Sequence, residues 1–302
     1  MLDVAGARQP RVGQARTVVQ RILSWYDNHA RDLPWRRPDA TPWAIMVSEF
    51  MLQQTPVERV LGPWRAWLER WPTPAALAAA SPGEAVRAWG RLGYPRRALR
   101  LHQAARMITQ EFDGEVPRDG DSLRSLPGVG SYTAAAIGSF AYGRREIVLD
   151  TNVRRVLARV ITGVAFPGAA PTTQEQAIGE QLAPRTPQRA ARWAVASMEL
   201  GAVVCRARNP LCDACPVADL CAWRRAGNPA WMCTPRRGQS YAGTDRQCRG
   251  AVLAVLRSSE GPIEDHQLTE VWQDAAQRTR ALASLVQDGL VVAAGNSWSL
   301  PR

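Results

Sequence analysis

The sequence predicts a mostly α-helical protein on three observations. Apolar residues recur at three- and four-residue intervals along most of the chain, the spacing of one helix face. Alternating apolar and polar runs, which mark strands, are nearly absent before residue 290. Proline and glycine cut the periodic stretches into helix-sized pieces. Taken in order, residues 1–14 read as a loose tail rich in Gly, Arg and Pro, and the first helix is predicted over 16–29. A connector follows at 31–36, where Pro34 and Pro42 forbid a long helix. Helices then fit 42–54, 63–71, 75–80, 82–89, 95–112, 122–126 and 131–142, and a second group fits 152–161, 173–182 and 189–200. The Pro, Gly, Arg and Ser of 222–246 suggest a linker. Beyond it, helices fit 249–257, 265–272 and 275–288. Apolar β-like pairs follow at 290–292 and 298–300, joined by Gly295 and Asn296, so the tail predicts a small winged-helix-like module.

A chain of 302 residues can hold two domains with good cores. Its 46% apolar and 22% charged residues are an ordinary globular composition. No run reaches the length of a membrane span and the N-terminus lacks a signal-peptide core, so a cytoplasmic protein is expected. The net charge of +11 points to a polyanionic partner, nucleic acid first. All 38 basic residues are arginine, for which genomic base composition is the simplest cause. No side chain can therefore supply the primary amine of a Schiff base.

Four cysteines stand close together: Cys205, Cys212, Cys215 and Cys221, separated by six, two and five residues. Thiolates so bunched bind a metal or an iron–sulfur cluster, and they fit a reduced compartment better than a disulfide scaffold. Structural zinc sites usually pair two short C-x2-4-C hooks; this chain has one, and a zinc knuckle stays open as the alternative. Cys233 and Cys248 receive no role.

A second motif is Leu126, Pro127, Gly128, Val129 and Gly130 ahead of a helical run from Ser131. The glycines permit a tight turn, and the free amides at the helix start, with its positive dipole end, make a phosphate site. The motif is similar to the helix-hairpin-helix that grips a DNA backbone without reading sequence. It is the same chain's 6-2-5 cysteines, 75 residues after Gly130, that strengthen this reading. Third, Asp150 follows an apolar run and opens a helix with Asn152 close by. N-capping accounts for an aspartate there. Fourth, Glu49 is the one acid in the apolar stretch 43–52. Apolar surroundings favour the protonated form of a carboxyl and suit it as a proton donor, whereas a solvated helix face is the commoner place for a glutamate.

Together these segments resemble the MutY branch of the endonuclease III superfamily of DNA base-excision glycosylases. The resemblance rests on Ser48, Glu49 and the run Met51 to Thr55, on Leu33 to Arg36, Leu92 to Tyr94, the hairpin, Asp150 with Asn152, Met198 to Ala202 and the cysteines, and spans about 22–221. It implies a two-lobed helix-hairpin-helix glycosylase fold, with a six-helix barrel domain over 38–149 and an iron–sulfur domain over 15–37 and 150–225; the residue pattern adds a linker at 226–246 and the module at 247–302. It implies a [4Fe-4S] cluster on the four cysteines and excision of adenine mispaired with 8-oxoguanine or guanine in double-stranded DNA. By the same resemblance, Glu49 protonates the base and Asp150 stabilises the sugar cation, with Asn152 and Tyr132 positioning them. Arg31, Trp35, Leu52, Val57 and Glu199 surround the extruded adenine. Gln54 and Tyr94 enter the base stack, and Thr55 and Leu92 are further contacts. Gly128, Val129 and Gly130 hold the DNA backbone, and Arg206 and Arg208 suit phosphates. Bifunctional relatives carry a lysine where this chain has Tyr132, so water is the expected nucleophile and a monomeric, monofunctional enzyme the expected form. The Nudix-like domain that checks for 8-oxoguanine in well-known members has no recognisable counterpart here, so a protein or DNA contact through the module is left open. A thymine or uracil mismatch glycosylase and a non-catalytic iron–sulfur DNA-binding protein are the alternatives.

Overall fold

The computed structural model describes residues 12–230 and 241–302; most of the expected tail, the middle of the linker and Cys233 lie outside the described residues. In chain order the helices are α1 Val12–His29, α2 Pro42–Leu52, α3 Val57–Arg70, α4 Pro74–Ala78, α5 Pro82–Trp89, α6 Arg96–Glu111, α7 Gly120–Ser125, α8 Ser131–Tyr142, α9 Thr151–Leu157, α10 Thr173–Leu182, α11 Pro187–Val203, α12 Ala222–Arg225, α13 Asp245–Ser258, α14 Asp265–Val271 and α15 Ala275–Gln287. Three short strands are confined to the end of the chain: β1 Ile263–Glu264, β2 Val292–Ala294 and β3 Ser297–Ser299. None of the described helices is long and apolar enough to cross a membrane.

The chain divides into two compact units, Met1–Ala40 with Gly130–Pro235 and Thr41–Val129 with Arg236–Arg302. In the first unit, Val18 and Ile22 of α1, Val153 and Val156 of α9 and Trp193, Ala196 and Leu200 of α11 pack into one core. The expected lobe boundary at 149/150 moves to 129/130. The reason is that Ala136 of α8 packs with Val148 and with Ala194 of α11, which commits that helix to the first unit. The helix expected over 152–161 is α9 followed by a π-helical turn at 158–162, ended by Gly163 at φ +77°.

In the second unit, α2 is buried along nearly its whole length, and Val60, Trp64 and Trp67 of α3 pack inward. The Trp67 ring meets Trp71 and Trp89 edge-on at 4.7 and 5.6 Å. Helix α3 begins six residues before its expected start at Pro63, which sits inside it. The burial of Trp64 and Trp67 on one side carries the helix through that proline. A capping box of Ser81 and Glu84 starts α5. The C-terminal module belongs to this second unit. Its helices α13, α14 and α15 enclose Val252, Leu256, Leu268, Leu282 and Leu285. Its strands form an antiparallel sheet in the order β1-β3-β2, with Trp298 opposite both Ile263 and Ala293. The three helices and the hairpin match the sequence pattern, but β1 is only two residues long and left no periodic signal.

Candidate active site

In the first unit the site is built round Asp150. This residue caps α9, its Oδ1 accepting the Val153 amide at 2.6 Å, so the capping role is real. Its Oδ2 accepts from Asn152 Nδ2 at 2.8 Å. Burial pushes the carboxyl above the ordinary aspartate value, against the pull of the hydrogen bonds from Val153 and Asn152. Asn152 is held in turn: its Oδ1 accepts from Arg155 Nη2 at 2.8 Å, and the same guanidinium donates to the Gly201 carbonyl at 2.7 Å and, through Nε, to the Cys205 carbonyl at 2.7 Å. A side chain at Gly201 is impossible without movement, since a Cβ there would lie 2.7 Å from Asn152 Cβ and its carbonyl oxygen. A continuous set of hydrogen bonds thus ties the aspartate to the first cysteine of the loop. Tyr132, second residue of α8, packs partly buried on the cluster of Ala136, Val148 and Ala194.

Glu199 is fully buried. Its Oε1 accepts from Arg31 Nε at 2.7 Å and from the Arg31 amide at 3.1 Å, and its Oε2 from Arg31 Nη2 at 2.9 Å, with Arg36 Nη1 also at 2.9 Å. Burial alone would raise the Glu199 carboxyl, but the hydrogen bonds of Arg31 and the charges of Arg36 and Arg31 outweigh it and hold it below the ordinary range. Glu199 is therefore a counter-ion that orients Arg31; Trp35 is buried.

In the second unit Glu49 is 6% exposed, on a helix where every residue from Trp43 to Met51 is buried. The two segments that follow it in the resemblance are organised by a residue the motifs did not flag. Arg97 Nη1 donates to the carbonyls of Phe50, Met51 and Gln53 at 2.8, 3.0 and 2.6 Å. Its Nη2 donates to the Thr55 hydroxyl and to the Gly93 carbonyl, both at 3.0 Å. Burial lowers the Arg97 guanidinium to about 10. Gln53 and Gly93 immediately precede Gln54 and Tyr94, both left-handed at φ +57° and +47°. Both of these side chains are exposed, Tyr94 by 48%. Thr55 and Leu92 are instead buried, and Thr55 Oγ1 donates to the Leu92 carbonyl at 3.2 Å. They brace this surface from beneath. Leu52 and Val57 are half-buried.

The hairpin is a turn with Pro127 second and Gly128 third, closed by Val129 N–H donating to the Leu126 carbonyl at 3.1 Å. Gly128 has φ +85°, and a Cβ there would fall 2.8 Å from the Phe50 ring, so glycine is required on both grounds. The Val129 side chain is buried. Gly130 is the N-cap of α8 with no side-chain cap, which leaves the first-turn amides to an anion.

All four cysteines line one pocket of the first unit, with Val160, Leu200, Val204 and Trp223 among its walls. Burial, with the other cysteines adding to it, pushes the Cys215 thiol up to about 11 and raises Cys221 as well. A bound cationic centre makes thiolates of such groups. Arg159 Nη1 reaches Cys205 Sγ at 3.5 Å and the Arg206 carbonyl at 2.7 Å. Among the described residues, four cysteines with no histidine or carboxylate in the pocket lining make an all-sulfur donor set that fits a cluster. Arg206 and Arg208 are exposed, and Cys248 is buried in α13.

Residues 47–175 match the HhH-GPD superfamily of base excision DNA repair proteins, and residues 205–221 match the iron-sulfur binding domain of endonuclease III. An adenine DNA glycosylase of Mycobacterium tuberculosis is 54% identical over 271 residues, covering 89% of this chain and 88% of that protein. One of Mycolicibacterium smegmatis is 55% identical over 271 residues, covering 89% and 91%. This chain belongs to the adenine DNA glycosylase family. A solved thermostable thymine-DNA glycosylase shares the fold, with a TM-score of 0.63 at 25% identity, covering 71% of this chain and 98% of its own. The mostly helical helix-hairpin-helix fold, the place in base excision repair, DNA as partner and a [4Fe-4S] cofactor at the 205–221 loop follow from that membership.

Arg36, Arg97 and Arg155 are the residues that sequence reasoning missed. Arg97 had a readable signal: it falls on the buried stripe of α6 with Leu101, Ala105 and Ile108, where a charge is out of place.

Proposed function

We propose that this protein is a monofunctional glycosylase that excises adenine paired with 8-oxoguanine or guanine. The observation that carries the reading is Glu49, a carboxyl buried in an otherwise apolar helix, in a member of the adenine glycosylase family. A purine leaves its sugar readily only when protonated, and the sugar then has oxocarbenium character, so the reaction needs one neutral acid and one carboxylate. Glu49 donates the proton to the base. Asp150 stays ionised and stabilises the sugar cation, with Asn152 fixing its Oδ2 and Tyr132 helping to position these groups. Arg31, held by Glu199, and Trp35, Leu52 and Val57 receive the extruded adenine. Gln54 and Tyr94 enter the duplex near the opposing base, on the support of Thr55 and Leu92. The Gly128 and Gly130 amides bind phosphate, and Val129, whose N–H closes the turn, holds them in place. Cys205, Cys212, Cys215 and Cys221 hold the cluster, which when bound crosslinks the loop and so orders Arg206 and Arg208 toward phosphates.

The sequence contains no lysine and has Tyr132 at the place of the bifunctional relatives' amine, which supports water as nucleophile. A monomer in the cytoplasm completes the reading. The test is base release from duplexes carrying A opposite 8-oxoguanine, A:G, A:C, G:T and U:G, with alkali added separately. Adenine release with strand scission only after alkali is expected. Release of thymine or uracil, or scission without alkali, overturns it.

A further inference from the structure

We propose that the C-terminal module is a fixed DNA-binding element of the second unit, and that Arg246, stacked between Tyr241 and Tyr94, contacts a backbone phosphate of the strand opposite the excised adenine. The inference rests on the reading of Tyr94 as a residue that enters the duplex.

The module is locked to the helices beneath it. The Gly83 amide in the first turn of α5 donates to the Pro301 carbonyl at 2.8 Å, and a Cβ at Gly83 would come within 2.3 Å of that oxygen. Helices α5 and α13 exchange guanidinium contacts. Arg87 Nη1 donates to the Arg257 carbonyl, while Arg257 Nε donates to the Val86 carbonyl at 3.0 Å. Arg96 at the start of α6 pairs with Asp288 at 3.3 Å. Several partly buried polar bonds acting together fix an orientation, which a flexible tether does not.

That orientation places one edge of α13 at Tyr94. The Arg246 guanidinium lies 5.8 Å from the Tyr94 ring centre and 5.8 Å from that of Tyr241. The Tyr241 hydroxyl lies across α13, 3.1 Å from where a Cβ on Gly250 would stand. Any group stacked on Tyr94 is at the DNA surface whenever that ring is in the duplex. The nearby carboxylates are already engaged: Asp245 by Arg280 at 3.2 Å, and Asp288 by Arg96 and by Arg249 at 2.5 Å. Arg246 is exposed and makes no ion pair among the described residues, so its charge is available to an anion. A guanidinium held over aromatic rings still has N–H donors to offer a phosphate.

The occupant is DNA at this edge and not across the module. Over residues 245–302 six arginines stand against seven acids, so net charge gives the module no general pull on DNA, and Arg278 of α15 is buried, donating to the Trp272 carbonyl at 2.6 Å. Insertion of α15 into a major groove has no electrostatic support. One phosphate contact beside Tyr94 does.

The experiment uses the full chain and a duplex carrying a tetrahydrofuran abasic analogue opposite 8-oxoguanine, which holds no base to release, at salt between about 50 and 200 mM. Loss of one phosphate contact lowers the slope of log affinity against log salt by about 1, so the deficit of Arg246→Ala narrows roughly three- to fourfold over that range. The same deficit is expected on an undamaged A:T duplex, with thermal unfolding unchanged. Arg106→Ala, an exposed arginine further along α6, controls for net charge and is expected to keep the wild-type slope. Unchanged affinity in Arg246→Ala overturns the proposal, and so does weaker binding with an unchanged slope. Wild-type adenine release, measured in parallel, separates this outcome from failure of the functional reading.

Discussion

Arg97 is the sharpest test of how this fold builds its DNA-facing surface. Replacing it with methionine keeps most of the side-chain volume and removes all five hydrogen bonds. The carbonyls of Phe50, Met51 and Gln53 lose their partner there, whereas Gly93 keeps the Trp89 Nε1 donor at 3.0 Å. The Gln53 carbonyl keeps a long hydrogen bond from Thr55 Oγ1 at 3.4 Å, so two orphaned acceptors at about 1–3 kcal/mol each set a ceiling of roughly 6 kcal/mol. Water reaches part of this turn, because Gln53 is only half-buried, and losses above about 5 kcal/mol are exceptional for one substitution. A loss of about 3–5 kcal/mol follows, which for a unit of this size lowers Tm on the order of 10 °C.

The effect on function is larger than that stability loss implies. Gln54 and Tyr94 each hold a conformation that costs a residue with a Cβ about 1–2 kcal/mol, and the guanidinium grips the carbonyl just before each. Released, both segments relax to ordinary φ values and the two exposed side chains leave their places. Single-turnover adenine release at a temperature well below the lowered Tm is expected to fall by about 100-fold, the cost of an ångström-scale misplacement. Arg97→Lys is expected to fall between, because an ammonium cannot span both segments as a planar fork does. A methionine variant within about 2 °C of wild-type Tm and within about threefold of its rate would refute the reasoning.

Glu49→Gln is expected to lower single-turnover adenine release by about 10² to 10⁴ while binding of an abasic duplex survives; retained turnover removes Glu49 from its role. Asp150 has its carboxyl raised in the fold, so its stabilising contribution is present only below the ordinary aspartate value and is lost as pH rises through the raised one. Asp150→Asn is therefore expected to raise Tm at neutral pH while abolishing turnover, and the gain should vanish in acid below about pH 4; a lower Tm at neutral pH contradicts this. Gly201→Ala drives a Cβ into Asn152 and is expected to cost about 1–3 kcal/mol in chemical unfolding and to slow adenine release. Cys215→Ala should yield colourless protein with weakened DNA affinity, and a brown, tightly binding variant speaks against that cysteine as a ligand.

Most of the helices and every motif region were legible because they depend on local chemistry. Helices α8 and α10 begin and end where proline, glycine and apolar spacing place them. What the sequence concealed depends on long-range packing. Pro63 reads as a helix start, but Val60 before it and Trp64 and Trp67 after it are buried and carry the helix through. Helix α8 reads as part of the hairpin lobe until Ala136 is seen against Ala194. Asp150 reads as a cap, and it is one; the same Oδ1 that accepts the Val153 amide leaves Oδ2 for Asn152. Glu199 reads as a polar contact for the substrate, and only the fold brings Arg31 and Arg36 onto it. Thr55 and Leu92 lie within a surface motif yet point into the protein, and no local pattern distinguishes that.

The arginine bias of the chain has a structural side that composition does not explain. Arg97, Arg155 and Arg159 are buried, and none of them donates to a carboxylate: their hydrogen bonds run chiefly to backbone carbonyls. Arg159 also donates to the Ala165 carbonyl at 2.9 Å and the Ala207 carbonyl at 3.3 Å. Each spans two or more segments distant in sequence, which five donors in a rigid plane can do and one ammonium cannot. A cation held by carbonyl dipoles also keeps its full charge, where a salt bridge would cancel it. For Arg155 and Arg159 that charge sits beside Cys205, where thiolates require it. For Arg97 it sits beneath Tyr94, facing where a polyanion is expected. Base composition can supply an arginine at any surface site, but at these three positions the fold has used the guanidinium for what only it can reach.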